Sequence, residues 1–150
     1  MKILSYIIDD IKSFDIRNTD EKKVLDSKIF SFYKGHPVLR VPGRRSASLW
    51  VLFITYETNK RAYPEDIVRH EYGHTEQLRR LGFLRFGFCI GIPSRFKLGS
   101  RSYYDKPWEV MADVFGGVMS RHHDAQTIAD GEEYLRLSRE KGIKVWRTIK

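Results

Sequence analysis

A single cysteine, Cys89, stands in 150 residues. An internal disulfide is therefore impossible, and nothing implies an oxidising compartment. Long apolar runs are missing too: none approaches the roughly 18 residues of a membrane-spanning helix. The opening Met1-Lys2-Ile3-Leu4-Ser5-Tyr6-Ile7-Ile8 reaches Asp9-Asp10 too early for the apolar region of a signal peptide. There is no repeat, low-complexity tract or linker-like stretch. These absences predict a single domain over residues 1–150, cytoplasmic as sequenced and without a membrane span.

Apolar side chains make up 41% of the chain and aromatics 13%, enough to bury a core and too many for a disordered segment. Lys and Arg number 27 against 19 Asp and Glu, a formal net charge of +8. Such an excess attracts anionic partners but does not specify a fold. Arg44, Arg45, Arg79, Arg80, Arg85, Arg95, Arg101 and Arg121 are spread along the chain with no recognised nucleic-acid motif. A solvated basic surface is expected, with no sequence-specific nucleic-acid partner.

Ile3, Leu4, Ile7, Ile8 and Ile11 recur at helical spacing and predict an amphipathic helix over about residues 2–14, followed by a polar connection over 15–27. Residues 29–33 and 37–41 are β-rich runs separated by Lys34-Gly35-His36, a hairpin pattern. After a turn at Pro42-Gly43-Arg44-Arg45, Leu49-Trp50-Val51-Leu52-Phe53-Ile54 reads as one strand buried on both faces. Pro64, the early acids Glu65 and Asp66, the late Arg79-Arg80 and Gly82 bracket a helix over 64–81. The apolar run Leu81–Phe96 predicts a core-filling connection or a wall near a cleft, with Cys89 a buried structural thiol. A second helix is expected over 107–122 and a packing helix over about 130–141. The fold class is α+β, with a short N-terminal sheet, an active-site helix and a glutamate helix.

The helix over 64–81 has an anomaly. Its inward stripe, Ile67, His70/Glu71, His74, Leu78 and Leu81, carries two imidazoles and a carboxylate. Residues 70–74 spell His70-Glu71-Tyr72-Gly73-His74, an H-E-x-x-H motif. Side chains four apart lie one above the other, so His70 and His74 can share one zinc ion. Glu71, about 100° around the helix, can reach a bound water without being a ligand. Gly73 costs about 1 kcal/mol relative to Ala inside a helix, which implies that another backbone packs against it.

Glu109 is the candidate third ligand, brought in by a helix whose flank carries the small residues Ala112, Gly116 and Gly117. Asp113, one turn on, is placed to accept the free N–H of a ligating histidine. Together these residues resemble the gluzincin zinc metallopeptidases. They particularly resemble the small minigluzincins and the metallopeptidase-like domains of bacterial polymorphic toxins. The match spans residues about 64–120.

The resemblance implies a zincin-like domain and a peptide or protein substrate. It makes His70, His74 and Glu109 zinc ligands, Glu71 the general base and Asp113 a supporting residue. It also implies that the strand at 49–54 rims the cleft and pairs with substrate. Export as part of a larger or toxin system stays open. The oxyanion-stabilising residue of larger relatives has no fixed counterpart: Tyr103, Tyr104, His122 and His123 are the candidates. A carboxylate from the C-terminal helix is another group that could approach the zinc. The rival expectations are a catalytically inactive zinc-stabilised interaction domain and a basic nucleic-acid-binding domain.

Overall fold

The computed structural model describes residues 1–148 and has an α+β architecture. Helix α1 (Lys2–Lys12) is followed by a short helix α2 (Glu21–Asp26), inside the stretch expected to be only a connection. The Asp20 side chain caps α2 by accepting the Lys22 N–H. Four strands follow: β1 (Phe30–Tyr33), β2 (His36–Val41), β3 (Ala47–Leu49) and β4 (Val51–Thr55). The sheet order is β1-β2-β4-β3, with β2 and β4 parallel and the other pairs antiparallel.

The hairpin expected between β1 and β2 is present, turned by Lys34 and Gly35 alone, both at positive φ (46° and 82°). That is the signature of a two-residue turn whose twist matches the strands. The run expected to be one strand at 49–54 is two. Leu49 ends β3, Val51 starts β4, and Trp50 reverses the chain between them at φ 68°. β4 also alternates, burying Leu52 and Ile54 while Val51 and Phe53 are half-buried, so it is not covered equally on both faces. Both edges of β4 are taken by β2 and β3, so it has none to offer a substrate; the free edge on that side belongs to β3.

Helix α3 (Pro64–Leu81) has the bounds expected of it. Its buried surface is wider than one stripe, and Ile67 and Leu78 are only half-buried. Val68 and Tyr72 join Val24, Tyr33, Val38, Leu52 and Ile54 in a core against the sheet. Leu81 and Leu78 join a second, helical core.

The apolar run after α3, expected as a core-filling connection or a cleft wall, is helical: α4 (Phe83–Phe86), a wide turn over Gly87–Gly91, and α5 (Ile92–Phe96). Phe86, Cys89 and Ile90 are buried in the second core, as expected of Cys89. Helix α6 (Pro107–Gly116) stops six residues earlier than expected, because Gly117 adopts a left-handed conformation at φ 75°. Helix α7 (Ala125–Lys141) packs behind α6, with Gly131 against Met111 and the Pro107 carbonyl. Among the described residues no helix is long and apolar enough to cross a membrane.

Candidate metal centre

One helical turn along α3 stacks the rings of His70 and His74, 4.8 Å apart and nearly perpendicular. Glu109 comes from the first turn of α6, where a carboxylate also suits the helix dipole. The two helices meet backbone to backbone. A Cβ on Gly116 would lie 1.9 Å from the Arg69 carbonyl oxygen, and Gly73 faces Ala112 in the same way. Without side chains at these two positions, α6 comes close enough to present Glu109 to both imidazoles.

Glu109 Oε2 lies 3.1 Å from His70 Nε2 and 3.4 Å from His74 Nε2. Glu109 is fully buried, yet among the described residues Oε2 has no hydrogen-bond partner. A buried oxygen this close to two ring nitrogens, without hydrogen-bond geometry to either, is an anomaly in a protein interior. A shared cation explains it. Ligands about 2.0–2.1 Å from a tetrahedral ion stand about 3.3 Å from one another, the spacing found here. His70, His74 and Glu109 can thus hold a metal ion.

Hydrogen bonds on the far side of each ring fix its tautomer. Asp113 Oδ1 lies 2.6 Å from His70 Nδ1, and a carboxylate can only accept, so Nδ1 carries the proton. For His74 the logic runs through Gln77. The Trp108 carbonyl must accept, so Gln77 Nε2 donates to it at 2.6 Å. That turns Gln77 Oε1 to His74 Nδ1, 2.8 Å away, which must donate. With the proton held on Nδ1, each ring in its neutral form presents its Nε2 lone pair on the side of Glu109.

Asp113 is itself held. Arg121 donates to Oδ2 from Nε at 2.7 Å and to Oδ1 from its terminal nitrogen at 2.6 Å; His123 Nε2 lies 2.8 Å from Oδ2. Ser94 donates to Glu109 Oε1 at 2.6 Å. With that proton used, the Tyr103 hydroxyl, 3.2 Å from Ser94 Oγ, is the donor of that pair.

The field of the site favours positive charge. Glu71, Glu109 and Asp113 are all buried around the two imidazoles, and the Arg121 guanidinium lies 3.4 Å from His70 Nδ1. Burial would lower the His70 pKa, but the Asp113 hydrogen bond and the Glu109 carboxylate outweigh it and hold it at about 10. Burial also works against ionisation of Glu109 and Asp113. His74 and His70 hold Glu109 well below the usual range; Arg121, His70 and His123 do the same for Asp113. Glu71 differs: burial pushes its carboxyl up, against the pull of His70 and His74. That is the environment of a carboxylate suited to exchanging protons.

A cleft of ≈ 560 Å³ opens onto His70 and Glu71, with Tyr103 and Tyr104 on its wall. The Tyr104 ring stands edge-on to His70 at 6.1 Å, with the Arg121 guanidinium 4.1 Å from its face. His122 is exposed, and neither it nor His123 lines the cleft. His123 instead supports Asp113. The acids of α7 lie elsewhere: Asp130 pairs with Arg101, Glu133 and Glu140 pair with Arg136, and Glu132 is exposed.

Sequence reasoning missed Gln77, Ser94 and the role of Arg121. Gln77 had a local signal, standing three residues after His74 where a helix brings side chains together. Ser94 and Arg121 had none, since their partners lie in other elements. Comparison with protein-family models, curated proteins and solved structures gave no match in any of the three.

Proposed function

We propose that the protein is a zinc-dependent peptidase of the gluzincin type, as the H-E-x-x-H and Glu109–Asp113 resemblance implies. The observation that carries the proposal is the unbonded Glu109 Oε2 facing two histidine Nε2 atoms at 3.1 and 3.4 Å, with Glu71 beside them at the cleft. Two imidazoles and one carboxylate suit zinc, whereas calcium and magnesium prefer oxygen alone. Zinc bound there would lower the pKa of a coordinated water to about 7 and polarise a peptide carbonyl.

The remaining steps belong to side chains. Glu71, whose carboxyl is already raised by burial, takes the proton of the attacking water and delivers it to the leaving amine. Asp113 keeps His70 in its ligating tautomer, and Gln77 does so for His74. Tyr104 is the candidate oxyanion donor. Its ring is pinned by His70 and Arg121, and among the described residues no partner engages its hydroxyl; the Tyr103 hydroxyl is committed to Ser94.

The test is metal analysis of the purified protein together with cleavage of a peptide library. One zinc per chain and cleavage abolished by chelation are expected. Glu71→Gln should retain zinc and lose about 10²–10⁴-fold in rate. Stoichiometric zinc without cleavage would leave a zinc-stabilised interaction domain, and absence of zinc affinity would overturn the metal site itself.

A further inference from the structure

The cleft leading to His70 and Glu71 is basic, and of its five Arg and Lys side chains four are not committed to ion pairs among the described residues. Arg44 and Arg45, from the turn between β2 and β3, line it on the sheet side together with Arg61; Lys97 lines it on the helical side. All four are exposed, and among the described residues none takes part in an ion pair. The arginines expected to be scattered over a solvated surface thus converge in part on one opening.

The cleft's other charges do not cancel them. Asp66 is engaged by Arg69 at 2.7 Å and by the backbone N–H groups of Met119 and Ser120 at 3.2 and 2.7 Å. Arg121 is engaged by Asp113. What stays free is Glu57, exposed on the lining, and Glu71 beside the metal ligands. Four free cations therefore face one exposed carboxylate around a carboxylate floor.

We propose that this cleft takes an acidic polypeptide segment, with Asp or Glu side chains seated against Arg44, Arg45 and Arg61. The proposal rests on the peptidase reading for what happens to that segment, but not for its binding. A polypeptide fits the charge pattern because its backbone is neutral where it crosses Glu71, and its acidic side chains are spaced to reach the mouth. A nucleic acid carries a phosphate at every step and would press one against Glu57 or Glu71. A basic peptide meets like charge at the mouth and is rejected. Exposed arginines also speed the encounter, so selectivity should weaken as salt rises.

The test separates binding from cleavage. Zinc-loaded Glu71→Gln protein is titrated into fluorescein-labelled Glu-Ala, Gln-Ala and Lys-Ala peptides of equal length, and zinc-loaded wild-type protein, with its Glu71 carboxylate intact, into labelled oligothymidine. The Glu-Ala peptide should bind about tenfold more tightly than the Gln-Ala peptide at low salt. Most of that ratio should disappear in the Arg44→Gln/Arg45→Gln double variant and, separately, in Arg61→Gln, with zinc content and circular dichroism unchanged. Equal binding of the Glu-Ala and Gln-Ala peptides would overturn the proposal. So would tighter binding of oligothymidine than of the Glu-Ala peptide at the same ionic strength. Selective binding of the Glu-Ala peptide would support it even if the wild-type protein cleaves no peptide, an outcome that sinks the peptidase reading alone.

Discussion

The α-carbon of Gly73 lies against the carbonyl of Ala112: a Cβ at position 73 would sit 1.8 Å from that oxygen. This contact, with its counterpart between Gly116 and Arg69, sets the distance between the helix carrying the histidines and the helix carrying the glutamate. Its obstacle is backbone, which cannot rotate aside.

Gly73→Ala should therefore push the two helices apart. A loss of about 3 kcal/mol is expected, at the upper end for overpacking a close contact, together with weaker metal binding. Gly87→Ala is the control: Gly87 is helical, at φ −56°, with nothing within 4 Å of an added Cβ. That change should leave stability the same or raise it by less than about 1 kcal/mol. Urea denaturation of both variants checks the pair, and equal stabilities would refute the packing account.

Asp113→Asn replaces an obligate acceptor with a group that can turn its N–H₂ toward His70 Nδ1. The ring could then expose the wrong nitrogen to Glu109. Zinc affinity should fall about 10–100-fold, measured by competition with a chromophoric chelator. Unchanged affinity would mean that Asp113 does not orient His70.

Acid stability should depend on Asp66. Burial alone would raise its pKa, but Ser120, Arg69 and the Met119 N–H hold it at about 2, below the ordinary 3.8. A carboxylate depressed in the folded state binds fewer protons there than in the unfolded chain. Its contribution is present above about pH 4 and is lost as pH falls toward about 2, roughly 2 kcal/mol in all. Asp66→Asn should remove that part of the acid limb in urea denaturation curves recorded across this window. An identical limb in the variant would exclude the assignment.

Added zinc should raise the thermal midpoint, because it binds the folded chain preferentially. At a hundredfold excess over the dissociation constant the gain is about 2.7 kcal/mol. His74→Ala should abolish the shift, and magnesium should not reproduce it in the wild-type protein. A zinc-induced rise that survives His74→Ala would place the ion elsewhere.

Local signals account for the parts that could be read in advance. Pro64 at the start, acids in the first turn, arginines in the last and Gly82 beyond them defined α3 at both ends. The β3–β4 reversal was illegible because Leu49-Trp50-Val51 contains no turn residue, and Trp50 takes φ 68° under strand pairing. The end of α6 is not legible in the sequence because Phe115 and Val118 prolong the apolar period past Gly117. Gln77 and Ser94 carry no charge that would mark them, and what each does depends on a partner in another element or on a neighbouring ring.

By itself, the amino-acid order determined that two imidazoles and a carboxylate share one side of a helix, because helical periodicity is a local property of the chain. Only the tertiary structure decided that Glu109 reaches both rings, that Asp113 and Gln77 turn each Nε2 toward it, and that three arginines gather at the opening. Those outcomes depend on how closely two glycine-faced helices pack and how a sheet is threaded, and no spacing along the chain encodes such distances.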